Sequence, residues 1–255
     1  MQQYFAKNIN LDLEDGDYHH IKNVMKMKCG DLIKVVYDNV IYTCKLNNIS
    51  NKSTFDIINK EEKTDKKLSV SVAFSLIKEQ KLNYLLQKTT ELGVNKLIPI
   101  ETKRSVVKIE GNKEKTKIDR WKKICKEASE QSFRADIPEI SDILTLKNLV
   151  NLDYDLKLVC SLNKNTKNIK KILEKNNKCV KILLVVGPEG GFDPLEEEYL
   201  LENGFKSVSL GENVLRAETA PVVALSMINY EFMRWVVWKI YLQLRLILLT
   251  IFIII

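Results

Sequence analysis

Leu68 to Leu76, LSVSVAFSL, alternates larger apolar residues with small ones, mostly serine, which is the two-residue period of a β-strand. The next segment, EQKLNYLLQKTTELG, changes rhythm. It sets Leu82, Leu85, Leu86 and Leu92 on one helical face and stops at Gly93, a residue that ends helices easily. KLIPI predicts the next strand. IDRWKKICKEASEQSF then brings Ile118, Trp121, Cys125, Ala128 and Ser132 to helical spacing. DLKLVCSL and KILLVV read as strands with a helix from about Thr166 to Asn176 between them, and Lys206 to Leu210 forms a further strand. Strands alternating with helices predict a mostly parallel sheet covered by helices on its faces. The first 67 residues behave differently. DLIKVVYD and VIYTCKLNNI are short apolar runs broken by Gly30 and by Asp-Asn or Asn-Asn pairs, so this part reads as a small β-rich domain, and KEEKTDKK, Lys60 to Lys67, reads as a linker. The expected division is therefore 1–67, 68–232 and a hydrophobic tail, 233–255.

Composition narrows the picture. Apolar residues make up 45% of the chain and charged residues 29%, which supports a packed core and argues against global disorder. The net charge of +7 fits a polyanionic partner such as RNA, although lysine-rich chains without one are equally common. Five cysteines without a C-x-x-C pair, and no secretory signal, point to a reducing, cytoplasmic setting without a disulfide framework or a metal site. His19 and His20, the only histidines, cannot by themselves build a metal or triad constellation.

Two loops carry candidate chemistry. In LLVVGPEGGFDPLEEEYLLENGF, a buried-type strand runs into GPEGGF and then a helix. Asp193 is placed to cap that helix, Pro194 sits at its first position, Glu196 completes a capping box and Gly204 stops it. Ligands of open α/β sheets bind in loops of this kind. Neither a P-loop nor a dinucleotide fingerprint is present, and Glu189 with the three first-turn glutamates discourages phosphate. The loop suits a neutral or cationic small molecule approached by backbone; on its own it is equally a tight turn. In SVSLGENVLRAETAPVVALS, Arg216 and Glu218 stand in a short Gly-containing loop before an apolar helix with Pro221 in its first turn, which suggests a site or, more plainly, a surface ion pair.

VVGPEGGF followed by SLGENVLRAETAPVVALS resembles the C-terminal signature of RsmE-type 16S rRNA uridine-N3 methyltransferases of the SPOUT superfamily. HHIKNVMKMKCGD, LLQKTTELGVNKLIPIETKRSVVK and RWKKICKEASEQSFRADIPEI also resemble that family, in the expected order, so the resemblance covers residues 1 to about 232. It implies a PUA-like β-barrel domain that helps bind RNA, followed by an α/β domain whose parallel sheet is closed by a SPOUT-type trefoil knot. It also implies a homodimer, and S-adenosylmethionine (SAM) as cofactor. The SAM pocket is expected from Gly187, Pro188, Glu189, Gly190 and Gly191, from Leu210, Gly211, Val214, Leu215, Thr219 and Ala220, and from Leu162 in the loop after a third strand. SAM is a sulfonium with an adenosine arm and no phosphate, so the missing phosphate motif is then expected.

The implied reaction is in-line methyl transfer to N3 of a uridine in 16S rRNA of the small ribosomal subunit. Arg216 is expected to stabilise charge developing on the uracil, and Glu218 to hold the loop or the cofactor. From Lys103 to Arg134 there are eleven Lys or Arg against five Asp or Glu; RNA contacts are expected at Lys103, Arg104 and Arg134, and at His20, Lys22 and Lys26 in the first domain, against a plain solvated helix face. Trp121 and the Leu82, Leu85 and Leu86 row are expected in the core. The chain departs from the family pattern at Gln3 and Lys26, where Arg is usual, and at Phe133, where a small residue is usual. Trp235 to Ile255 holds 17 apolar residues in 21, long enough to span a bilayer, but Arg245 at its centre removes most of the gain. A read-through extension is expected there before a partner-binding helix or a membrane anchor, and a membrane association is not expected. A non-catalytic RNA-binding protein of the same fold is the alternative, and a different nucleotide-binding α/β enzyme a third.

Overall fold

The computed structural model describes residues 1–50, 52–63, 68–109, 111, 113–163 and 166–233. The chain forms two compact units: residues 1–66 with 119–138, and residues 67–118 with the remainder from 139. The first therefore takes a helical segment that the sequence pattern assigns to the second. The readings of the hydrophobic tail concern residues outside those described.

In the first unit, β1 (Gln2–Phe5) runs parallel to β2 (Leu32–Tyr37). That strand pairs antiparallel with β3 (Val40–Asn48), and β3 pairs antiparallel with β4 (Thr54–Glu62). Asp38 and Asn39 join β2 to β3 with φ of 48° and 60°, the backbone that a two-residue type I′ hairpin demands and that Asp and Asn tolerate. Between β1 and β2 lie α1 (Asp15–His19) and a π turn, His20–Val24, which the β-rich reading did not predict. Their Tyr18 and Ile21 pack with Tyr4, Leu13, Ile33, Val35, Cys44 and Leu46 to form this unit's core. The expected linker starts too early: Lys60, Glu61 and Glu62 belong to β4, an exposed edge strand where charged side chains discourage further pairing.

The second unit contains β5 (Ser69–Ser75), α2 (Glu79–Glu91), β6 (Lys96–Ile100) and the start of α3 (Lys113–Gln131), whose later residues belong to the first unit. β7 (Glu139–Ile140), α4 (Leu146–Val150), β8 (Leu156–Cys160), β9 (Lys167–Asn168) and α5 (Ile169–Lys175) come next. The unit continues with β10 (Lys181–Val186), α6 (Pro194–Glu202), β11 (Lys206–Ser209) and a helix, α7, over residues 220–233. The seven strands form one sheet, ordered β7-β6-β5-β10-β8-β11-β9, and every pairing is parallel. Leu82, Leu85, Leu86 and Trp121 are buried as expected. Gly93 ends the run after α2 at φ +86°, a conformation open to glycine without a Cβ clash. β5 sits inside the sheet and is buried on both faces, so its Ser71 and Ser75 are not solvent-facing. Ser71 accepts a hydrogen bond from the Tyr154 hydroxyl at 2.8 Å, and Ser75 receives one from Thr102 at 3.1 Å. Ala73, Leu183, Val185, Val159, Leu200 and Phe205 anchor the core beside these strands.

Candidate functional site

β10 pairs with β8, and β8 with β11, in registers that bring Val186, Cys160 and Val208 to one edge of the sheet. All three strands run the same way, so their carboxyl ends face one side. The loops leaving them enclose a cleft of about 620 Å³. Leu162 and Asn163 come from the first loop, Gly187 to Phe192 from the second, and Leu210, Gly211 and Asn213 to Ala217 with Ala220 from the third. The two chain reversals singled out in the sequence thus share one cavity.

The local sequence explains the loop shapes. Gly187 leaves little room for a side chain, because a Cβ would stand 3.0 Å from the Phe192 ring and 3.2 Å from its backbone nitrogen, and the ring would have to give by a few tenths of an ångström. Gly191 has φ +67° and Gly211 φ +148°. The predicted capping box forms: the Asp193 carboxylate accepts from the Leu195 N–H at 3.2 Å, and Glu196 accepts from the Asp193 N–H at 3.1 Å. Glu196 has a second use, since its other oxygen accepts the Lys103 N–H at 2.8 Å and ties the loop after β6 to α6. At the third loop the Arg216 carbonyl accepts the N–H groups of Thr219 and Ala220, both at 2.9 Å, and turns the chain into α7.

Among the described residues lining the cleft, Lys81 and Arg104 are engaged by protein groups, while Arg216 is exposed. Burial pushes the Glu189 carboxyl up, but the Lys81 ammonium, 3.0 Å away, together with a backbone N–H, more than offsets this and holds it below the usual carboxylate range. Glu197 accepts hydrogen bonds from the Ser161 hydroxyl and, at 3.2 Å, from the Asn163 amide. The Arg104 guanidinium donates to the Gly190 carbonyl at 3.0 Å. Burial pushes the Cys160 thiol up to about 12, which keeps it protonated and unsuited to nucleophilic work.

Of the residues expected to hold the cofactor, all line the cleft except Thr219. Arg216 lines it too, with its side chain 80% exposed; Glu218 does not line it and is buried, one oxygen 3.9 Å from Arg216 and the other without a hydrogen-bond partner among the described residues. Lys81, Ser161, Asn163 and Glu197 were not foreseen. Their contacts join residues 34 to 108 positions apart, and only Glu197 had any local signal, as a first-turn acid.

The residues expected to meet RNA are divided. Lys22 and Lys26 are exposed in the first unit, where His20 is half-buried with its Nδ1 3.0 Å from the Tyr4 hydroxyl. Lys103 and Arg104 belong to the second unit, and Arg104 lines the cleft. The expectation for Arg134 needs correction: its side chain is buried and ion-paired with Asp136, so its charge is already neutralised away from solvent. Gln3, noted as a departure at a basic position, is also buried, and its amide donates to the Arg134 carbonyl at 2.6 Å. No group of three or more His, Cys, Asp or Glu side chains suited to a metal occurs among the described residues. No helix among them is long and apolar enough to cross a membrane.

A parallel α/β sheet with a three-loop cleft at the carboxyl ends of its strands, preceded by a small β-rich unit, defines a ligand-binding α/β protein. A family model for the RNA methyltransferase domain matches residues 64–229, and one for the RNA methyltransferase PUA domain matches residues 13–58. The chain is 35% identical over 249 residues to Ribosomal RNA small subunit methyltransferase E of Bacillus subtilis (strain 168), covering 91% of this chain and 97% of that protein. It is 34% identical over 211 residues to the protein of the same name from Mesomycoplasma hyopneumoniae (strain 232), covering 82% and 88%. A crystal structure of Ribosomal RNA small subunit methyltransferase E from Neisseria gonorrhoeae bound to S-adenosyl methionine aligns with a TM-score of 0.81 at 25% identity, covering 90% of this chain and 97% of that one. The chain belongs to the ribosomal RNA small subunit methyltransferase E family.

Proposed function

We propose that this protein methylates N3 of a uridine in 16S rRNA, using SAM held in the three-loop cleft. The observation that carries this reading is the cleft itself: one cavity built from the carboxyl ends of three adjacent parallel strands, lined by glycine backbone and apolar side chains.

The residues present fit this donor. Gly187, Gly190 and Gly191 leave room for close backbone approach, and a side chain at Gly187 would crowd Phe192. Backbone N–H and C=O groups there can meet an adenine edge and a ribose, while Leu162, Leu210, Val214 and Leu215 offer apolar surface to the ring. The cations Lys81 and Arg104 are engaged by Glu189 and the Gly190 carbonyl, as suits a ligand without phosphates. When bound, SAM supplies an electrophilic methyl group. Leu162, Asn163 and the Gly187–Gly191 loop orient it, and the third loop closes the other wall.

Arg216, exposed where it lines the cleft, is the residue this reading assigns to the acceptor. A uracil N3–H is a weakly acidic imide, and its loss leaves charge on the ring oxygens. A guanidinium at the cleft lip can stabilise that charge as it forms. Glu218 supports it as a positioning residue, 3.9 Å away and fixed by burial. The finer features implied by the resemblance belong to the same reading: cytoplasmic action, a trefoil knot closing the third loop, and a homodimer. Light scattering checks the dimer.

The test is methyl transfer to small-subunit particles lacking the modification, with the product uridine mapped in the rRNA. The wild-type protein should methylate a single uridine at N3. Arg216→Ala should lower turnover at least about tenfold, roughly 1.4 kcal/mol of barrier, with SAM affinity retained. Methylation at a carbon or ribose oxygen, or full turnover by Arg216→Ala, would overturn the reading.

A further inference from the structure

The end of α3 carries a residue that its backbone does not favour. Phe133 has φ +54°, the left-handed region that bulky side chains rarely adopt. It sits where a helix ends in a Schellman turn: the Phe133 N–H donates to the Glu130 carbonyl at 3.3 Å and the Arg134 N–H to the Ser129 carbonyl at 3.0 Å. Glycine takes this position without strain, so folding alone does not account for phenylalanine.

Burial does not account for it either. The Phe133 residue is 45% exposed, while the side chains of Trp121, Cys125 and Ala128 on the same helix are buried. Its ring instead meets a cation, with the Lys34 ammonium 5.2 Å from the ring centroid. Lys34 lies on β2, inside the segment matched by the PUA family model. The turn that carries the ring is tied to β1 and to its own next residues. Gln3, opposite Lys34 in the β1–β2 register, donates to the Arg134 carbonyl, and Arg134 is ion-paired with Asp136. All of these residues belong to the first unit.

We propose that Phe133 and Lys34 form a stacking platform for an unpaired RNA base, with the ring taking the base and the ammonium a neighbouring phosphate. Proteins that read single-stranded RNA combine an exposed aromatic face with an adjacent cation in this way, because every base has a π-face and every linkage a charge. A turn tied in this way presents the ring at little entropic cost on binding, which explains why strain is tolerated at an exposed position. This inference rests on the reading of the protein as an rRNA methyltransferase and adds a contact outside the cofactor cleft.

The decisive variant is Phe133→Gly in the full chain, because glycine relieves the backbone. Thermal unfolding should move up by about 2–4 °C. Affinity for a labelled small-subunit rRNA fragment should fall about tenfold, SAM affinity should be unchanged, and Phe133→Tyr should restore RNA binding. Lys34→Gln should flatten the salt dependence of RNA binding. The platform is overturned if Phe133→Gly lowers the melting temperature, which makes the ring structural. It is equally overturned if RNA affinity stays within twofold of wild type. A wild-type chain that binds SAM but no rRNA fragment would instead remove the methyltransferase reading on which the platform stands.

Discussion

Single residues at the cleft act through space they deny or charge they hold. Gly187 is the clearest case. Gly187→Ala would drive a Cβ into the Phe192 ring, which is itself buried, and toward its backbone nitrogen at 3.2 Å. Overpacking of this kind costs about 1–3 kcal/mol, so we expect a lower melting temperature and SAM binding weakened at least tenfold by calorimetry. Unchanged binding would mean that the second loop is not a wall of the cofactor site. This position was legible in the sequence, because GPEGG between a strand and a capped helix limits what the loop can be. Arg134 was not. Its charge looked available for RNA, and only the packed turn shows it buried against Asp136.

Elements are fixed by local chemistry and then tied together by contacts remote in sequence. Asp193, Pro194 and Glu196 start α6 as their order predicts, yet Glu196 also accepts the Lys103 N–H, 93 residues away. Glu196→Ala should therefore cost more than an ordinary cap. Both carboxylates cap α6, but the largely buried Glu196 also accepts the Lys103 N–H from another loop, so about 2 kcal/mol is expected, against about 1 for Asp193→Ala. Chemical denaturation of both variants checks the order; equal losses would show that the tie to Lys103 carries no energy. The same distinction explains which elements were read correctly. β5, α2 and β10 have strong periodicity and length. α1 is five residues long, and the polar end of β4 becomes a strand only because β3 pairs with it.

At the scale of the molecule, stability should depend on pH through a cluster in the first unit. Burial raises the Glu130 carboxyl to about 7, aided by Asp17 and opposed by the Lys126 ammonium and the Phe5 N–H. Glu14, Asp17 and Glu130 surround Lys126 at 3.1, 2.9 and 3.6 Å, and burial, aided by Asp17 and Glu130, pushes the Tyr4 phenol up. The folded chain keeps this proton up to about pH 7, while the unfolded chain releases it near 4.5. The folded state binds more protons across that window, so this group's contribution is present in full below about 4.5 and lost as pH rises through 7. Melting temperature should fall across the window, and Glu130→Gln should flatten the slope. A wild-type profile rising from pH 4.5 to 7 with no change in Glu130→Gln would show that the cluster does not govern it.

The sequence by itself determined the strands and helices with strong periodicity, the cap of α6 and the two loops able to hold a ligand. These follow from backbone sterics and from burial of a repeating face, which act over a few residues. Only the tertiary structure decided that the two loops share one cavity with a third, that Lys81 answers Glu189, that Arg134 is buried and that part of α3 belongs with the first unit. Each of these depends on which strands become neighbours in the sheet, and β8 between β10 and β11 is a choice made by packing across the whole chain rather than by any segment of it.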